Sequence, residues 1–549
     1  MRMLFLQNYR MTQIPHRVVL SVLGALAAAT VQAEVRPHAL FSENAVLQQQ
    51  MAVPVWGTAQ DGERVTVECH GQKVMTQATN GQWRVVLNPL RAGGPFTLKI
   101  SGEPPTGSGQ GNTLTFTNIL VGEVWLCSGQ SNMAMGLNDC EGGKEADAKA
   151  QDSLLRFMTV PIARSEQVER DVNVKWVEST PYWAGFFSGV AYYFGRDLRK
   201  QLNAPVGLIQ CAWGGSIAEA WMPRRYLEAD PALRPILDRY PAMLKQYEQD
   251  LAAFRKNEPE LQKQHAEAVA KAAAAGAKPP PSPAPPPDPA QNGKVQRDRP
   301  YGIYNAMLAP LQPYAIRGAL WYQGESSAGR AWEYRMLLPT MIRAWRETWG
   351  QGDPSTGSGR GFPFLIVQLP AYTKIVAEPV DASWAELRDA QFLAARQVPQ
   401  TAMVVTTDCG DETNIHPARK EPVGARLALA ARALAYGEHI EYSGPIYESV
   451  KIEGDRALIS FKHVGGGLVA RDGALKGFAI AGADKKFVTA QAEIKGDQVV
   501  VRSPQVAQPV AVRFGWANYP VVNLWNQAGL PASPFRTDDF PLSTQPKQP

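Results

Sequence analysis

Residues 122–133 read GEVWLCSGQSNM, and this stretch decides the architecture of the chain around it. Residues 124–126 (VWL) are typical of a buried strand, whereas residues 128–132 (SGQSN) are small and polar. A strand that passes directly into such a loop is typical of an open parallel sheet in an α/β domain. The stretch therefore raises the question whether Ser131 is a turn residue or a nucleophile.

Three other apolar strands end in polar loops in the same way. The sequence predicts them at residues 206–211 (VGLIQC), 318–322 (GALWY) and 403–408 (MVVTTD), and the loops that follow read AWGGS, QGESS and CGDETNIHP. In an open parallel sheet the ligand lies beyond the carboxyl ends of the strands. We therefore expect these loops to meet the 128–132 loop at one edge of the sheet.

A chain of 549 residues exceeds what one hydrophobic core usually covers, so we expect several domains. On both sides of the α/β region, short alternating runs such as WRVVL and QVVVRS predict β-sandwich domains. The predicted divisions are a leader (1–33), an N-terminal β-sandwich domain (34–116), an α/β domain (117–440) with an insertion (241–299), and a C-terminal β domain (441–549).

The insertion differs in composition from the domain that contains it. Residues 241–278 are rich in Ala, Glu, Lys and Gln, which predicts a charged helix, and residues 279–289 (PPPSPAPPPDP) predict a stiff polyproline II spacer. We interpret the insertion as a solvated excursion from the surface. Alternatively, its helical part packs near the mouth of the site and limits substrate size.

The first 33 residues resemble a targeting segment. Arg10 and Arg17 precede an apolar run at residues 18–29, and Val31-Gln32-Ala33 supplies small residues for cleavage before Glu34. The run is too short to span a bilayer comfortably, so we predict an exported protein, periplasmic or secreted, with no membrane anchor after processing.

Charge argues against a nucleic-acid partner. Removing residues 1–33 takes away three arginines and no acidic residue, which lowers the formal net charge from +5 to +2. A nearly neutral chain without a basic stripe has no electrostatic basis for binding nucleic acid. A neutral or mildly charged ligand such as a sugar fits this composition better.

The cysteine and histidine spacing predicts no metal site. The five cysteines are too few and too scattered for a disulfide scaffold, and no CxxC or HxxxH pattern occurs. In an exported protein Cys127 and Cys140 could pair, but their spacing alone does not establish a bridge.

Ser131 is a candidate nucleophile because Gly129 allows a tight turn at the strand end. A nucleophilic serine also needs a base and donors for the oxyanion. His416 follows a predicted parallel strand, Pro417 would stiffen its position, and a neutral imidazole is the usual base for serine. The stretch 129–133 lacks the last glycine of the G-x-S-x-G elbow, which argues against an ordinary α/β-hydrolase. The alternative is that Ser131 only caps a helix.

The two remaining loops offer further groups for a site. Gly214 and Gly215 can present bare N–H groups to a ligand, Gln323 carries an amide donor and Glu325 a carboxylate. Each has an ordinary explanation, since WGGS is also a common turn and QGES can cap a helix. Four such loops at one edge of a sheet make coincidence a weaker explanation.

Long blocks of the sequence resemble one family. The blocks GEVWLCSGQSNM, CAWGGSIAEAW, WYQGES and NIHPARKEPVGARLA are similar to the signatures of the bacterial sialate O-acetylesterase-like carbohydrate esterases, within the SGNH hydrolase superfamily. HALFSENAVLQ, YGIYNAMLAPL, SWAELRDAQ and GLPASPFRTDDFP are similar to the family as well. The resemblance implies an α/β fold with an SGNH-type, flavodoxin-like parallel sheet.

The resemblance also implies an activity and roles for residues. Ser131 would be the nucleophile and His416 the general base. The backbone N–H of Ser131, that of Gly215 and the amide of Gln323 would be the oxyanion donors. The reaction would remove acetyl groups from sugar hydroxyls through an acetyl-enzyme, without a metal or an organic cofactor.

Two departures from the family's pattern affect these assignments. Ser327 stands where relatives often carry Asn, so one polar contact on the substrate side can differ, while Asn132 and Glu325 are the candidate substrate-binding residues. Thr413 stands where the superfamily's usual acid lies, three residues before His416. The remaining groups that could accept a hydrogen bond from the imidazole are the carboxylates of Asp408, Asp411 and Glu412, the amide oxygen of Asn414, and a backbone carbonyl. We predict Asp411, with a Ser-His dyad as the alternative.

The competing interpretation is a carbohydrate-binding protein whose α/β domain is inactive. For an esterase, the predicted partner is an acetylated oligosaccharide or glycan, and sialate is favoured less than plant glycans such as xylan or xyloglucan. Sialate would need a cation for its carboxylate. No arginine near the four loops is an obvious one, and Arg330, Arg388 and Arg419 are candidates. The sequence does not indicate an oligomeric state.

Overall fold

A computed structural model of the chain describes residues 34–105, 111–350 and 361–547. The predicted leader, residues 1–33, lies outside these ranges, so the structure does not bear on it. Among the helices within the described ranges, none combines the length and the apolar character needed to cross a membrane.

The N-terminal region has a three-stranded sheet of its own and contributes further strands to the central sheet, and both pack on one core. Its strands are β1 (Arg36–Pro37), β2 (Val46–Gln48), β3 (Val53–Thr58), β4 (Arg64–Cys69), β5 (Gln72–Gln77), β6 (Gln82–Leu87) and β7 (Gly93–Glu103). Strands β1, β3 and β6 form one antiparallel sheet, while β5, β4 and β7 continue into the central sheet. Every second side chain of β6 is buried, as a half-buried strand requires.

Strand β8 (Thr113–Gly129) belongs to two regions at once. Its first part pairs antiparallel with β7. Its last part, residues 123–129, runs parallel to a strand of the α/β region. The predicted boundary between residues 116 and 117 therefore falls inside one continuous strand, and the N-terminal sandwich is anchored to the strand that ends at the candidate nucleophile.

The remaining strands of the central sheet confirm the α/β fold class. They are β9 (Asp152–Thr159), β10 (Val177–Ser179), β11 (Val206–Ala212), β12 (Gly318–Tyr322), β13 (Phe364–Val367) and β14 (Thr401–Val404). The order is β10-β9-β11-β8-β12-β13-β14, in which only the β10–β9 pair is antiparallel. The predicted strand at 403–408 is wrong at its end, because residues 407–409 form a 3₁₀ turn.

Ten helices accompany this sheet within the described ranges. They are α1 (Ser131–Ala134), α2 (Gly143–Asp147), α3 (Pro181–Ala184), α4 (Gly189–Leu202), α5 (Arg224–Ala229), α6 (Pro235–Ala274), α7 (Gly293–Arg297), α8 (Ala331–Thr348), α9 (Ser383–Gln397) and α10 (Glu421–Tyr436). Short 3₁₀ or π turns lie at Leu137–Asp139, Ala218–Trp221, Tyr304–Leu308, Ala309–Leu311, Glu325–Arg330 and Thr407–Cys409.

Both faces of the sheet are covered, so its strands are apolar throughout. Alternate side chains of β8 belong to different cores: Leu126 packs on the face that carries α8 and α9, and Trp125 on the face that carries α4 and α10. This burial fixes the register of β8, because a shift by one residue would exchange the two faces.

The insertion extends away from this core. Helix α6 has 40 residues and begins before the predicted start at residue 241. Only Ile236 of the helix is buried, as the charged composition predicts. The short helix α7, which begins after the N-cap Asn292, returns the chain to the body of the protein.

The C-terminal region is all β, as predicted. Its strands are β15 (Ile446–Glu453), β16 (Arg456–Lys462), β17 (Leu468–Ala470), β18 (Phe478–Ala481), β19 (Phe487–Thr489), β20 (Gln491–Lys495), β21 (Gln498–Arg502), β22 (Ala511–Phe514), β23 (Leu524–Asn526) and β24 (Phe535–Arg536). They form sheets β15-β16-β21-β20 and β19-β18-β22-β24 around one core, with β17 paired to β23.

Candidate active site

Ser131 stands at the sharp turn between β8 and α1. The strand ends at Gly129, whose φ of 142° lies in the region that favours glycine. A Cβ atom at Gly129 would lie 2.2 Å from the carbonyl oxygen of Tyr322 on the neighbouring strand. Only glycine therefore fits where the chain leaves the sheet, and Ser131 becomes the first residue of α1.

His416 meets Ser131 across the edge of the sheet. Its Nε2 lies 2.7 Å from the Ser131 Oγ, although the two residues are 285 positions apart in the chain. Burial, and after it the charge of Lys420, hold the pKa of His416 below its ordinary value of 6.5. A neutral imidazole at hydrogen-bond distance from a serine hydroxyl is the arrangement that general-base catalysis requires.

The prediction that Asp411 orients the imidazole is not met. Its Oδ1 accepts hydrogen bonds from Thr413 N at 2.8 Å, Thr413 Oγ1 at 2.9 Å and Asn414 N at 2.9 Å. These bonds hold the pKa of Asp411 below its ordinary value. In residues 34–105, 111–350 and 361–547 no hydrogen bond joins Asp411 to the His416 ring. The carboxylate is satisfied by its own loop instead.

The other acceptors considered for His416 are also engaged elsewhere. Asp408 binds both Nη atoms of Arg426 at 2.7 and 2.8 Å. A Glu412 oxygen accepts from the backbone of Ile375, and the Asn414 side chain accepts from the backbone N–H of His416. Over the described part of the chain, Ser131 and His416 therefore form a hydrogen-bonded pair without a carboxylate partner for the imidazole.

The glycine turn after β11 lies beside the nucleophile. A Cβ at Gly214 would lie 3.4 Å from the Cβ of Ser131, whereas one at Gly215 would lie 2.6 Å from Nη1 of Arg297. Neither glycine N–H donates to another described group, and the Ser131 N–H heads a helix, where no intrahelical acceptor exists. The turn thus offers free donors next to Ser131, and the predicted Gly215 belongs to it.

Gln323 does not have a free amide for the oxyanion, contrary to the prediction. Its Nε2 donates to the Ser216 carbonyl at 3.2 Å and to Ser327 Oγ at 3.1 Å. Its Oε1 accepts from the Tyr334 hydroxyl at 2.8 Å. An amide nitrogen carries two hydrogens, so both are used. Gln323 is fully buried and ties the glycine turn to the loop after β12.

Asn132 and Glu325 are buried and bind each other rather than facing the substrate as predicted. Asn132 Nδ2 donates to Glu325 Oε1 at 2.5 Å and to the Ile415 carbonyl at 3.0 Å. Asn132 Oδ1 accepts from Lys420 Nζ at 2.5 Å. Burial raises the pKa of Glu325 and lowers that of Lys420 to about 8. Lys420 lies within the block NIHPARKEPVGARLA, but no pattern in the sequence predicts it as a residue of the site.

The insertion also contributes to the site. Arg297, the last residue of α7, donates from Nη1 to the Gly214 carbonyl at 3.2 Å. Its Nε and Nη2 bind the two carboxylate oxygens of Asp298 at 2.7 and 3.0 Å. The insertion is thus not only a solvated excursion, because its returning end holds the glycine turn.

The structure leaves the cysteines unpaired and offers no metal cluster among the described residues. All five cysteines are buried and free, so Cys127 and Cys140 form no bridge. Within the described ranges, no group of three or more His, Cys, Asp or Glu side chains is placed to hold a metal ion.

Comparisons with known proteins identify the family. A family profile described as "Carbohydrate esterase, sialic acid-specific acetylesterase" matches residues 121–257. The sialate O-acetylesterase of Mus musculus is 30% identical over 436 residues, which cover 74% of this chain and 75% of the relative. The sialate O-acetylesterase of Homo sapiens is 29% identical over 455 residues, which cover 77% of this chain and 75% of the relative.

A solved structure agrees with these relatives. The crystal structure of a carbohydrate acetylesterase from Xanthomonas citri is 35% identical in sequence, with a TM-score of 0.74 over 92% of this chain and 100% of the other. The strand-to-helix turn at Ser131 and the glycine turn that adjoins it lie within the segment matched by the family profile. The chain therefore belongs to the carbohydrate esterase family of sialic acid-specific acetylesterases.

Proposed function

We propose that the chain is a serine esterase that removes O-acetyl groups from carbohydrates through an acetyl-enzyme. The observation that carries the proposal is the 2.7 Å separation between His416 Nε2 and Ser131 Oγ, at the edge of the sheet where the ligand of an open parallel sheet lies. Family membership supplies the acetyl ester as substrate, and the site supplies a base and a hydroxyl nucleophile.

In the first half of the reaction, Ser131 Oγ attacks the acetyl carbonyl while its proton passes to His416 Nε2. The negative charge that develops on the carbonyl oxygen is stabilised by the N–H of Ser131 and a N–H of the glycine turn. The C–O bond to the sugar then breaks, and the sugar oxygen takes the proton from the imidazolium. The sugar leaves with a free hydroxyl, and acetyl remains on Ser131.

In the second half, water attacks the acetyl-enzyme and gives a proton to His416. Collapse of the tetrahedral intermediate breaks the bond to Ser131 Oγ, which takes the proton back, and acetate leaves. The pKa of His416, which burial lowers, suits this role because the imidazole must be uncharged before each attack.

The test of this proposal is hydrolysis of p-nitrophenyl acetate by the full chain and by Ser131→Ala. We expect the wild type to release p-nitrophenol with a burst of one equivalent if deacylation is slow, and Ser131→Ala to be inactive while its circular dichroism is unchanged. If the wild type and Ser131→Ala are equally inert on every acetylated sugar offered, the chain is a carbohydrate-binding protein with an inactive hydrolase-like domain.

For the sugar, we propose an uncharged acetylated glycan of the xylan or xyloglucan type rather than sialate. Arg330 pairs with Glu219 at 2.5 Å and with Glu333 at 2.9 Å. Arg388 is buried, and its guanidinium donates to four backbone carbonyls. These two arginines are thus committed to the protein itself, which favours a substrate without a carboxylate.

Acetate release across a panel of substrates decides between these sugars. We expect acetylated xylo-oligosaccharides or xyloglucan oligosaccharides to give a higher kcat/KM than O-acetyl sialic acid, with matched numbers of acetyl groups. A clear preference for O-acetyl sialic acid would contradict the proposal and would direct attention to Arg419, whose guanidinium is exposed and donates to the Asp408 carbonyl.

We propose as well that the chain is exported and processed before Glu34. The support is the sequence of residues 1–33, with basic residues before a short apolar run. N-terminal sequencing of the protein from the periplasm or medium of an export-competent bacterial host should begin at Glu34. Recovery only from the cytoplasm, beginning at Met1, would contradict export.

A further inference from the structure

Lys420 is a buried cation beside the candidate active site, and its position is unfavourable by itself. The residue is 1% exposed and directly precedes α10, where the positive end of the helix dipole lies. An ammonium group removed from water destabilises a protein unless it is paired. No salt bridge within 4.0 Å pairs Lys420 with a carboxylate among the described residues. A role other than surface solvation is therefore required.

The hydrogen bonds of Lys420 lead to both members of the Ser-His pair. Its Nζ donates to Asn132 Oδ1 at 2.5 Å, and Asn132 directly follows Ser131. Asn132 Nδ2 donates to the carbonyl of Ile415 at 3.0 Å, and Ile415 directly precedes His416. One amide therefore joins the nucleophile helix to the histidine loop.

We propose that Lys420 is a positioning residue for His416, acting through the Asn132 amide. An ammonium can only donate, so it fixes which end of the amide faces it. The other end, Nδ2, must then face the Ile415 carbonyl and Glu325 Oε1. Without the ammonium, a flipped amide would place its oxygen against those two oxygens, and the histidine loop would lose its bond to α1.

The charge of Lys420 gives this residue a second effect. The groups that face it are Glu325, Cys140 and Cys409, together with the Tyr322 ring, whose centroid lies 5.1 Å from Nζ. The ammonium is the charged group that acts on His416, and it disfavours a second positive charge there. On the histidine loop itself, Asp411 and Glu412 accept backbone hydrogen bonds and Arg419 donates to a carbonyl. A cationic Lys420 thus keeps the imidazole in its base form at lower pH.

Three substitutions separate the donor from the charge. Lys420→Arg keeps both the hydrogen-bond donor and the charge, Lys420→Gln keeps a donor without the charge, and Lys420→Met removes both.

The pH dependence of kcat/KM for p-nitrophenyl acetate is measured for the full chain. We expect the acid limb of Lys420→Gln and Lys420→Met to move to higher pH by at least half a unit, and that of Lys420→Arg to stay near the wild type. We also expect kcat to fall at least tenfold further in Lys420→Met than in Lys420→Gln.

Lys144→Met is the matched control, since it removes a charge from an exposed lysine on α2. It should leave both kcat and the acid limb unchanged. An unchanged acid limb in folded Lys420→Gln would overturn the electrostatic effect, and equal kcat values for Lys420→Gln and Lys420→Met would overturn the positioning role.

This inference rests on the proposed Ser-His function, and a second measurement separates the two. The titration of His416 is followed by NMR of ¹³C-labelled histidine in the Ser131→Ala protein, with the signal assigned by His416→Gln. Adding Lys420→Gln should raise the His416 titration midpoint, whether or not the wild type proves to be an esterase. No change in that midpoint would overturn the electrostatic effect of Lys420 even if the esterase activity is confirmed.

Discussion

The two sides of the Ser131–His416 pair are built differently. Behind Ser131, the side chains of Asn132, Glu325 and Lys420 are buried and bound to one another. Before His416, Thr413 and Asn414 are exposed, and their hydrogen bonds to Asp411 span only two or three residues. The buried side connects segments that are more than 190 residues apart, whereas the bonds of Asp411 to Thr413 and Asn414 stay within one loop.

The difference shows where the geometry of the pair comes from. A buried polar group without a partner is costly, so each contact on the buried side restricts its neighbours. An exposed loop loses little when a bond is exchanged for water. We infer that the buried side positions His416.

The largest effect is expected for His416→Ala. Among the described residues, the His416 imidazole is the group that hydrogen-bonds Ser131 Oγ, so its removal should lower kcat about 10⁴-fold or more. The measurement is steady-state hydrolysis of p-nitrophenyl acetate, with circular dichroism to show that the fold persists. A loss below tenfold would mean that another base serves Ser131. The buried side and the exposed loop could then no longer be compared by their effect on His416.

The second effect tests the buried side directly. Asn132→Ala leaves the Lys420 ammonium and the Glu325 carboxyl without their shared partner, so the free energy of unfolding should fall by about 3 kcal/mol. The loss of the bond to the Ile415 carbonyl should lower kcat about 100-fold, as displacement of catalytic groups does. Urea unfolding and steady-state kinetics measure the two effects.

Asn305→Ala is the control for Asn132→Ala. Asn305 is also a buried amide, and its Nδ2 donates to the carbonyls of Ser165 and Glu166, with no ionisable side chain as partner. Its substitution should destabilise the protein without changing kcat. If both variants lose kcat equally, the effect of Asn132 comes from general destabilisation rather than from its contact with the histidine loop.

The same difference explains which parts could be predicted from the sequence. Apolar periodicity and the polar loops predicted the α/β sheet, the flanking β regions and the meeting of Ser131 with His416, because these depend on local pattern and on the edge of a parallel sheet. The sequence predicts Asn132 and Glu325 as substrate-binding residues because it does not report that their side chains are buried. Lys420 was overlooked because an isolated lysine usually lies on a surface.

Two other differences between the sequence-based predictions and the structure have identifiable physical causes. The strand predicted at 403–408 ends early because Arg426 binds the Val405 carbonyl and both oxygens of Asp408, which turns the chain out of the sheet. Arg297 was not assigned to the site because its segment is separated from the glycine turn by about eighty residues. Long-range contacts of this kind leave no periodic signal in the sequence.

The third effect is a pH dependence. His416 must be uncharged to accept the serine proton, and its lowered pKa means that the imidazole is half protonated only below pH 6.5. The acid limb of kcat/KM should therefore have its midpoint below pH 6.5, and below that midpoint activity should fall about tenfold per pH unit. A midpoint above 6.5 would show that burial and the Lys420 charge do not govern the imidazole.

A smaller effect is expected for Arg297→Ala. The substitution removes the hydrogen bond to the Gly214 carbonyl and loosens the glycine turn, so kcat should fall about five- to tenfold, as a displaced donor is less costly than a lost one. Arg255→Ala, on the exposed surface of α6, is the matched control and should have no effect. Equal activity of Arg297→Ala and the wild type would show that the insertion does not support the site.

The smallest effect is expected for Asp411. The substitution Asp411→Asn distinguishes a carboxylate that orients His416 from one that only caps its loop. If Asp411 were the acid of a triad, an amide in its place would stabilise the wrong tautomer of the imidazole and lower kcat about 10⁴-fold. As a loop cap, Asp411 uses Oδ1 to accept from Thr413 and Asn414. An asparagine keeps that acceptor. We therefore expect kcat of Asp411→Asn to stay within about twofold of the wild type, and that of Asp411→Ala, which loses the cap, to fall no more than about fivefold. Steady-state kinetics at pH 8, where the imidazole is neutral in either case, measures both variants. A large loss in both would place the exposed loop, and not the buried network, in control of His416.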